Sequence, residues 1–245
     1  MTAARVPVAV IGARGRLGRF ACELLRHDAR FELVAELGRE HRLEAVLSEC
    51  GAALALDVTA AGLGAPHGRA LLAAGIRPVI GTSGVTRAEA AELDALARAR
   101  GLGGLVVPNF SLGVAWLNRA VELLARGGGF ASVVVVERHH AEKRDAPSST
   151  ARDTAARLEA AGAAGPVPIH SVRAAGLYAH QEVLFGAPGE TLTVRHDMLG
   201  PAAFGPGILA ALRHAVTARG VAWGLEAALA SEGAAVAKAP PPGAH

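Results

Sequence analysis

The sequence predicts an α/β fold in which a doubly wound parallel sheet is followed by an α+β region with a mixed sheet. Three observations carry this prediction. Short apolar strand patterns alternate with helical patterns through residues 1–110, and a glycine-rich turn joins the first strand to the first helix. A strong β-branched run at 131–140 is then followed by three further strand candidates. Uninterrupted apolar strands that alternate with helices indicate a parallel sheet with both faces covered.

Strand and helix patterns alternate through the first region. The clearest helix covers residues 86–101, where Thr86 as N-cap and Glu89 three residues later predict a capping box. Helical patterns also follow the glycine-rich turn and cover residues 66–74. The strand candidates are 6–11, 31–37, 53–59, 77–84 (a strand that ends in a glycine turn) and 104–110.

The second region has longer and more polar strand candidates. Two of them meet at Pro188-Gly189, which predicts an antiparallel hairpin. A last helix, 205–220, is expected to return to the first region. The candidates are helices at 112–127 and near 150–161 and strands at 131–140, 169–176, 180–188 and 190–197. We therefore expect a dinucleotide-binding domain of 1–110 plus 203–235, a second domain of 111–202, and a disordered tail at 236–245.

Composition excludes several classes of protein. Of 245 residues, 51% are hydrophobic, which supports a packed core, and only 4% are aromatic, which argues against a surface that stacks nucleic-acid bases. The net charge of +3 is too balanced for a polyanion-binding surface. Cys22 and Cys50 have no metal or disulfide spacing, and no leader or membrane-spanning pattern is evident. We expect a cytoplasmic protein that binds neither nucleic acid, membrane nor metal.

The residues that follow the first strand form a glycine-rich loop. Gly12, Gly15 and Gly18 are spaced as G-x-x-G-x-x-G between the strand and helix of a βαβ unit. Glycine lets the backbone turn tightly and approach a pyrophosphate, which the N–H groups of the helix start can bind. This context predicts a Rossmann-like dinucleotide site; a tight turn that binds nothing is the alternative.

The end of the second strand bears on the choice of cofactor. An acidic residue here usually binds the ribose hydroxyls of NAD, and Glu36 comes two residues before Gly38. Guanidinium groups bind phosphate in a bidentate way, and four arginines lie near these positions in the sequence. We expect NADPH to be used at least as well as NADH, unless the arginines are solvated surface. They are Arg14, Arg16, Arg39 and Arg42.

The most polar stretch of the chain is ERHHAEKRDAPSST, residues 137–150. It continues a strand, so His139 and His140 should point to opposite faces. Lys143 comes next, and the hydroxyl residues after Pro147 predict a helix start that suits a carboxylate. Imidazole, ammonium and a helix N-terminus suit a small dianionic substrate that takes up a proton and a hydride. A solvated charge run and a metal site are the alternatives, and the second lacks further ligands at suitable spacing.

Five segments make the chain resemble the dihydrodipicolinate reductase family, also called 4-hydroxy-tetrahydrodipicolinate reductases. The resemblance runs from Val8 to about Gly224. The histidine–lysine string is highly specific to that family, whereas the glycine loop is not. The segments are VIGARGRLG, GTSG (81–84), VPNFSLGV (107–114), ERHHAEKRDAPSSTA (137–151) and VRAAGLYAHQEVLFGAPGETLTVRHD (172–197).

The resemblance implies reduction of a small cyclic imine dicarboxylate, 4-hydroxy-tetrahydrodipicolinate, to tetrahydrodipicolinate with NADPH or NADH, in lysine and diaminopimelate biosynthesis. It also implies a homotetramer assembled through the substrate-binding domain. His139 matches the family's catalytic histidine, Lys143 its proton donor and His140 a substrate ligand. Ser149 and Thr150 match the pair that holds a substrate carboxylate. The positions that match cofactor contacts are Gly12, Ala13, Arg14, Gly15, Arg16, Leu17, Arg39, Gly81, Thr82, Ser83, Val107, Pro108, Asn109 and Phe110.

Ser149 is the main departure from the family pattern, which usually has glycine there; Gly38, where an acid is common, is the second. If the position of Ser149 needs a positive φ, serine costs about 1–2 kcal/mol. Otherwise its side chain either crowds the substrate or donates a hydrogen bond. The chain could therefore be a paralogue that reduces another cyclic imine acid. A non-catalytic NADPH sensor is a further alternative, but it would need no proton donor such as Lys143.

Overall fold

The structure, a computed structural model, describes residues 4–39, 41, 43, 47 and 49–230. The chain forms two compact units, Met1–Phe110 with Phe204–His245 and Ser111–Ala203. Arg42 and the tail expected at 236–245 lie outside the described residues. In chain order the elements are β1 Val6–Ile11, α1 Arg16–His27, β2 Phe31–Leu37, β3 Leu54–Asp57, α2 Gly64–Ala73, β4 Arg77–Ile80, α3 Arg87–Ala99, β5 Gly103–Val106, α4 Leu112–Gly127, β6 Ser132–His139, α5 Ser149–Ala160, β7 Ile169–Arg173, β8 Ala179–Ala187, β9 Glu190–Met198, a 3₁₀ turn Pro201–Phe204, α6 Gly205–Thr217 and β10 Gly220–Trp223.

The first unit is built on a six-stranded parallel sheet with the strand order β10-β5-β4-β3-β1-β2. β3 and β5 are buried along their whole length, as expected for strands that helices cover on both faces. α1 packs on β1 and β2, whereas α6 packs on β4 and β5. The carboxyl ends of the parallel strands share one edge of the sheet, which is where ligands bind in such folds.

The helix α3 begins with the predicted capping box. Thr86 Oγ1 accepts a hydrogen bond from the Glu89 N–H at 3.1 Å, and the Glu89 carboxylate accepts one from the Thr86 N–H at 2.8 Å. Two N–H groups at the helix start are therefore satisfied locally. This prediction is confirmed.

The second unit contains a four-stranded mixed sheet with the order β7-β6-β8-β9. β6 pairs in parallel with β7 and antiparallel with β8, and β8 and β9 form the predicted hairpin across Gly189, whose φ is +87°. The core of the unit gathers Val135, Val183 and Phe185 with apolar residues of α4 and α5. The predicted fold class, a Rossmann-like parallel sheet with a separate mixed sheet, is confirmed.

The end of the first unit differs from the sequence-based expectation. The helix predicted over 205–220 ends at Thr217, and Gly220, at φ +89°, leads into β10, which pairs in parallel with β5. Four apolar residues have no period that distinguishes a strand from a helix end, so the pattern could not reveal this strand. The candidates at 53–59 and 104–110 were also too long, because β3 stops at Asp57 and β5 at Val106.

Within the described ranges, no helix is long and apolar enough to cross a membrane. Both cysteines are free thiols, and burial, together with the charge of Glu36, raises the pKa of Cys22 to about 11. Cys22 therefore stays protonated at neutral pH.

Candidate active site

The glycine loop between β1 and α1 has the geometry of a phosphate cradle. Gly12 has a φ of +87°, and a Cβ there would lie 2.8 Å from the carbonyl oxygen of Val58. A Cβ on Gly18 would lie 2.1 Å from the carbonyl oxygen of Gly12. Gly15 is the N-cap of α1, and no side chain among the described residues caps that helix. The loop thus excludes side chains and leaves the helix start to an anion, which fits the pyrophosphate of a dinucleotide.

A cavity of about 690 Å³ opens beside this loop. Its described lining comes from the loop, the end of β2, and the segments that follow β3. Arg14 and Arg39 contribute the guanidinium groups, and none of the described lining residues carries a carboxylate. The lining residues are Ile11, Gly12, Arg14, Gly15, Leu37, Gly38, Arg39, His41, Leu43, Val58, Thr59, Ala60, Leu63 and His67.

Glu36 is not positioned as a ribose-binding acid at this cavity. Its carboxylate forms an ion pair with Arg26 of α1, and Glu36 is absent from the cavity lining. Gly38, two residues later, donates its backbone N–H to His41 Nδ1 at 2.9 Å. The described end of β2 therefore presents basic and neutral groups to the cavity.

The other residues expected to contact a cofactor lie in three places. Ala13, Arg16 and Leu17 share the loop and helix start but do not line the cavity. Gly81, Thr82 and Ser83 follow β4, and Val107, Pro108, Asn109 and Phe110 follow β5, at the same edge of the sheet. Val107 and Phe110 are buried as whole residues, whereas Pro108 is exposed and Asn109 half-buried. The Phe110 ring leaves room only for glycine at position 81, because a Cβ there would lie 2.3 Å from the ring.

The polar stretch at the end of β6 is organised by a buried ion pair. Glu137 is fully buried, and its carboxylate accepts two hydrogen bonds from Arg173, at 2.7 and 2.8 Å. It also accepts the Ser148 N–H at 3.2 Å and contacts His139 Nδ1. Burial would raise the pKa of Glu137, but the bonds from Arg173, Ser171 and His139 outweigh it and lower the pKa to about 2.

Glu137 thereby determines which ring nitrogen of His139 carries the proton. An ionised carboxylate only accepts hydrogen bonds, so Nδ1 of His139 carries the proton and Nε2 is left as an acceptor. Burial, reinforced by the positive charges of Lys143 and Arg173, lowers the pKa of His139 below its usual 6.5 despite the favourable Glu137 contact. His139 is therefore a neutral imidazole at neutral pH.

Arg173 connects this pair to the loop that carries Lys143. Its guanidinium donates to the carbonyl oxygen of Asp145 at 2.7 Å and to that of Lys143 at 3.3 Å. Lys143 Nζ is held by the Asp145 carboxylate at 2.8 and 3.0 Å. The second histidine differs from the first: His140 is 40% exposed at its side chain and contacts the outer Glu142 at 3.0 Å.

The helix α5 begins at the expected hydroxyl residues. Ser148 is its N-cap, with Oγ accepting the Ala151 N–H at 3.1 Å. Ser149 is the first helical residue and is exposed, and no described non-glycine residue has a positive φ. Serine at this position therefore has no left-handed backbone strain, which leaves two of the expected consequences: its side chain crowds the substrate or donates a hydrogen bond to it.

Sequence reasoning assigned no role to Glu137 or Arg173, although both lie in segments that it singled out. The two side chains meet because β6 and β7 are neighbours, with His139 paired in register to Arg173. An arginine near the end of one predicted strand and a glutamate near the end of another were the available signals. Among the described residues, no group of three or more His, Cys, Asp or Glu side chains could hold a metal ion.

The fold and these two sets of residues define an oxidoreductase with a Rossmann-like unit and a separate mixed-sheet unit that carries ionisable groups. Models of the dihydrodipicolinate reductase N-terminus and C-terminus match residues 6–110 and 113–229. The chain belongs to the dihydrodipicolinate reductase family.

Individual relatives agree with this assignment. The 4-hydroxy-tetrahydrodipicolinate reductases of Streptomyces coelicolor and Legionella pneumophila are 43% and 37% identical to it, over 91% of this chain and 97% and 98% of theirs. The solved structure of dipicolinate-bound dihydrodipicolinate reductase from Paenisporosarcina sp. TG-14 has a TM-score of 0.82 at 30% identity, over 91% of this chain and 99% of that one.

Proposed function

We propose that this protein reduces 4-hydroxy-tetrahydrodipicolinate to tetrahydrodipicolinate with a nicotinamide cofactor, in lysine and diaminopimelate biosynthesis. The observation that carries the proposal is the buried Glu137–Arg173 pair, which holds a neutral histidine and a lysine loop near a helix start. The same chain is 43% identical to a relative named for this reaction. The ligand of the solved relative, dipicolinate, is a cyclic dicarboxylate of the same kind.

Cationic and N–H groups of the second unit bind the two substrate carboxylates. Lys143 supplies an ammonium group, His140 an accessible imidazole, and Ser149 and Thr150 the first turn of α5. A helix start and an ammonium group both favour negative charge. Asp145 restrains the Lys143 side chain before the substrate arrives, so less side-chain entropy is lost on binding.

Lys143 is the proton donor in this proposal. His139 is neutral at pH 7 with its proton on Nδ1, so Nε2 accepts a hydrogen bond and orients the substrate or the ammonium group. A general acid in this position typically contributes a factor of about 100 to 10,000 to the rate.

The nicotinamide cofactor supplies the hydride when bound. The glycine loop and the start of α1 would hold its pyrophosphate, and Arg39 would lie at its adenosine end.

The test is turnover with substrate made in situ from pyruvate and aspartate semialdehyde by a synthase, followed by the loss of NADPH absorbance. We expect turnover above about 1 s⁻¹, within the usual enzyme range. Lys143→Ala should lower kcat at least about a hundredfold. Arg144→Ala, which removes the exposed cation next in the chain, is the matched control and should leave kcat unchanged. Tight NADPH binding with negligible wild-type turnover, or a Lys143→Ala loss below about fivefold, would contradict this assignment.

NADPH should be used at least as well as NADH. The support is the pair of arginines, Arg14 and Arg39, in a described lining that has no carboxylate, and the ion pair that engages Glu36 elsewhere. Guanidinium groups favour a 2′-phosphate over a hydroxyl. The measurement is kcat/KM with each cofactor; a tenfold or larger preference for NADH would contradict it.

The two units divide the work in this proposal. Residues 1–110 and 203–235 bind the dinucleotide, and residues 111–202 bind the substrate and join four copies into a tetramer in the cytoplasm. Leu192 and Leu199 are exposed apolar residues of the second unit and are candidates for contacts between copies. Light scattering coupled to size exclusion should give four times the chain mass, and a monomer would exclude the tetramer.

A further inference from the structure

A buried carboxylate lies behind the wall of the cavity beside the glycine loop. Asp57, the last residue of β3, is fully buried and does not line the cavity. Its Oδ1 accepts hydrogen bonds from Thr59 N at 3.0 Å, Thr59 Oγ1 at 2.7 Å and Thr82 Oγ1 at 2.8 Å. Its Oδ2 lies 3.0 Å from His67 Nδ1 on α2. The sequence alone assigned no role to Asp57 or His67.

The carboxylate determines the tautomer of the histidine. Burial would raise the pKa of Asp57, but hydrogen bonds from His67, Thr59 and Thr82 outweigh it and hold the pKa below its usual value. Asp57 is therefore ionised at neutral pH and can only accept hydrogen bonds. Nδ1 of His67 must then carry the proton in their contact.

The backbone held by Asp57 packs against the glycine loop. The Val58 N–H donates to the carbonyl oxygen of Ile11 at 3.0 Å. A Cβ on Gly12 would lie 2.8 Å from the carbonyl oxygen of Val58 and 3.1 Å from the nitrogen of Thr59. Because the two segments are this close, a shift of the turn after β3 changes the room available at Gly12.

The same network reaches the cavity through two side chains. Thr59 and His67 line it. Thr82 is buried and does not line it, but it belongs to the segment after β4 that is expected to contact the cofactor. Thr82 Oγ1 also accepts the Thr59 N–H at 3.0 Å, so the two segments are tied to each other as well as to Asp57. One buried group thus holds two residues of the cavity wall, Thr59 and His67, and ties them to the segment that follows β4.

We propose that Asp57 is a positioning residue for the dinucleotide, which acts by fixing His67 and Thr59 in the wall of its site and by tying Thr59 to the segment that follows β4. The inference rests on the proposed function only in taking this cavity as the cofactor site. Asp57 does not face the cavity, so it acts through its neighbours. Its loss should raise Kd and KM for NADPH and leave kcat at saturating cofactor within about threefold of wild type.

Two substitutions of His67 separate its two nitrogens. His67→Asn places an amide N–H near the position of Nδ1 and can keep the bond to Asp57, whereas His67→Gln places its amide near Nε2 and cannot. In fluorescence titrations with NADPH, we expect His67→Asn to bind within about twofold of wild type and His67→Gln about tenfold more weakly, which is about 1.4 kcal/mol. Equal affinities, or weaker binding by His67→Asn, would overturn the proposal.

Asp57→Asn tests the carboxylate itself. Its amide would donate to His67 Nδ1, so long-range ¹H–¹⁵N spectra should show the ring change from the Nδ1–H to the Nε2–H tautomer, and Kd for NADPH should rise at least about fivefold. Asp94→Asn is the matched control, because Asp94 accepts the Val221 N–H at 2.8 Å on β10, at the other edge of the sheet.

Asp94→Asn should lower the unfolding midpoint and leave Kd unchanged. An equal loss of NADPH affinity in both variants would overturn the proposal, and so would an unchanged tautomer in Asp57→Asn. If Asp57→Asn does not fold, the His67 pair decides the question. Wild-type protein that binds neither NADPH nor NADH would overturn both this inference and the proposed function. Dinucleotide binding without turnover would contradict only the proposed function.

Discussion

Glu137→Gln is the substitution that most directly tests the organisation of the strand end. Glutamine keeps the size of the side chain but removes the charge that Arg173 and the Nδ1–H of His139 contact. The guanidinium of Arg173 would keep its bonds to the carbonyl oxygens of Lys143 and Asp145 but lose its charged partner. Removing one partner of a buried pair leaves the other uncompensated, which is strongly destabilising.

The magnitude follows from the pKa of the carboxyl group. Its hydrogen bonds, against the opposing effect of burial, lower the pKa of Glu137 from 4.5 to about 2. At 1.36 kcal/mol per unit, the ionised group stabilises the folded state by about 3 kcal/mol at pH 7. The folded protein binds fewer protons than the unfolded chain, so this stabilisation is present above pH 4.5 and is lost as the pH falls towards 2. About 2 kcal/mol of it remains at pH 3.5.

Urea denaturation followed by tryptophan fluorescence measures this effect. The chain has two tryptophans, and Trp116 is the one in the unit Ser111–Ala203. In a Trp223→Phe background the signal therefore reports on the unit that contains Glu137. We expect Glu137→Gln to lower the free energy of unfolding by about 3 kcal/mol at pH 7 and by about 2 kcal/mol at pH 3.5.

Glu142→Gln is the control for this experiment. Glu142 also contacts a histidine Nδ1, that of His140, but its side chain is 83% exposed. Its substitution should leave the unfolding midpoint unchanged at both pH values. The assignment of Glu137 as an ionised structural anchor fails if Glu137→Gln is as stable as wild type at pH 7, or if its deficit is the same at pH 3.5 as at pH 7.

Three further substitutions test local features. Thr86→Ala removes the cap of α3 and should lower the free energy of unfolding by about 1 kcal/mol; an unchanged urea midpoint would contradict the capping box. Gly18→Ala places a Cβ 2.1 Å from the Gly12 carbonyl oxygen and should weaken NADPH binding at least about tenfold in a titration, whereas Gly127→Ala, in open space, should not. Ser149→Gly should raise kcat/KM on the proposed substrate, since it clears the space before α5; a lower value would assign the serine hydroxyl a role in binding.

The elements that sequence reasoning found are those with a local signature. Helix α3 was bounded by its own capping box, and helix α4 by its apolar period between Leu112 and Gly127. The β8–β9 hairpin followed from Pro188-Gly189 between two alternating runs. The sequence did not predict β10, because this strand is short and uniformly apolar and is identified only by its pairing with β5. Pairing partners are distant in sequence, so no local pattern encodes them.

The same distinction between local signals and distant contacts applies to the residues of the candidate site. His139, Lys143 and the helix start near Ser149 were found because they are contiguous and chemically unusual for this chain. Glu137 and Arg173 acquire their roles through a contact between residues 36 positions apart. Burial leaves His139 neutral at pH 7, against the effect of the Glu137 contact, which by itself would raise the pKa of the imidazole.

By itself, the sequence determined the two kinds of sheet, the glycine loop, and the family to which the polar stretch belongs. These features follow from periodicity, backbone freedom and short strings of residues, all of which are local. Only the tertiary structure decided which nitrogen of His139 and of His67 carries a proton, and which carboxylate is ionised behind each. A proton's position depends on burial and on partners such as Glu137 and Asp57, which the strand pairing and loop contacts of the folded chain bring within hydrogen-bonding distance.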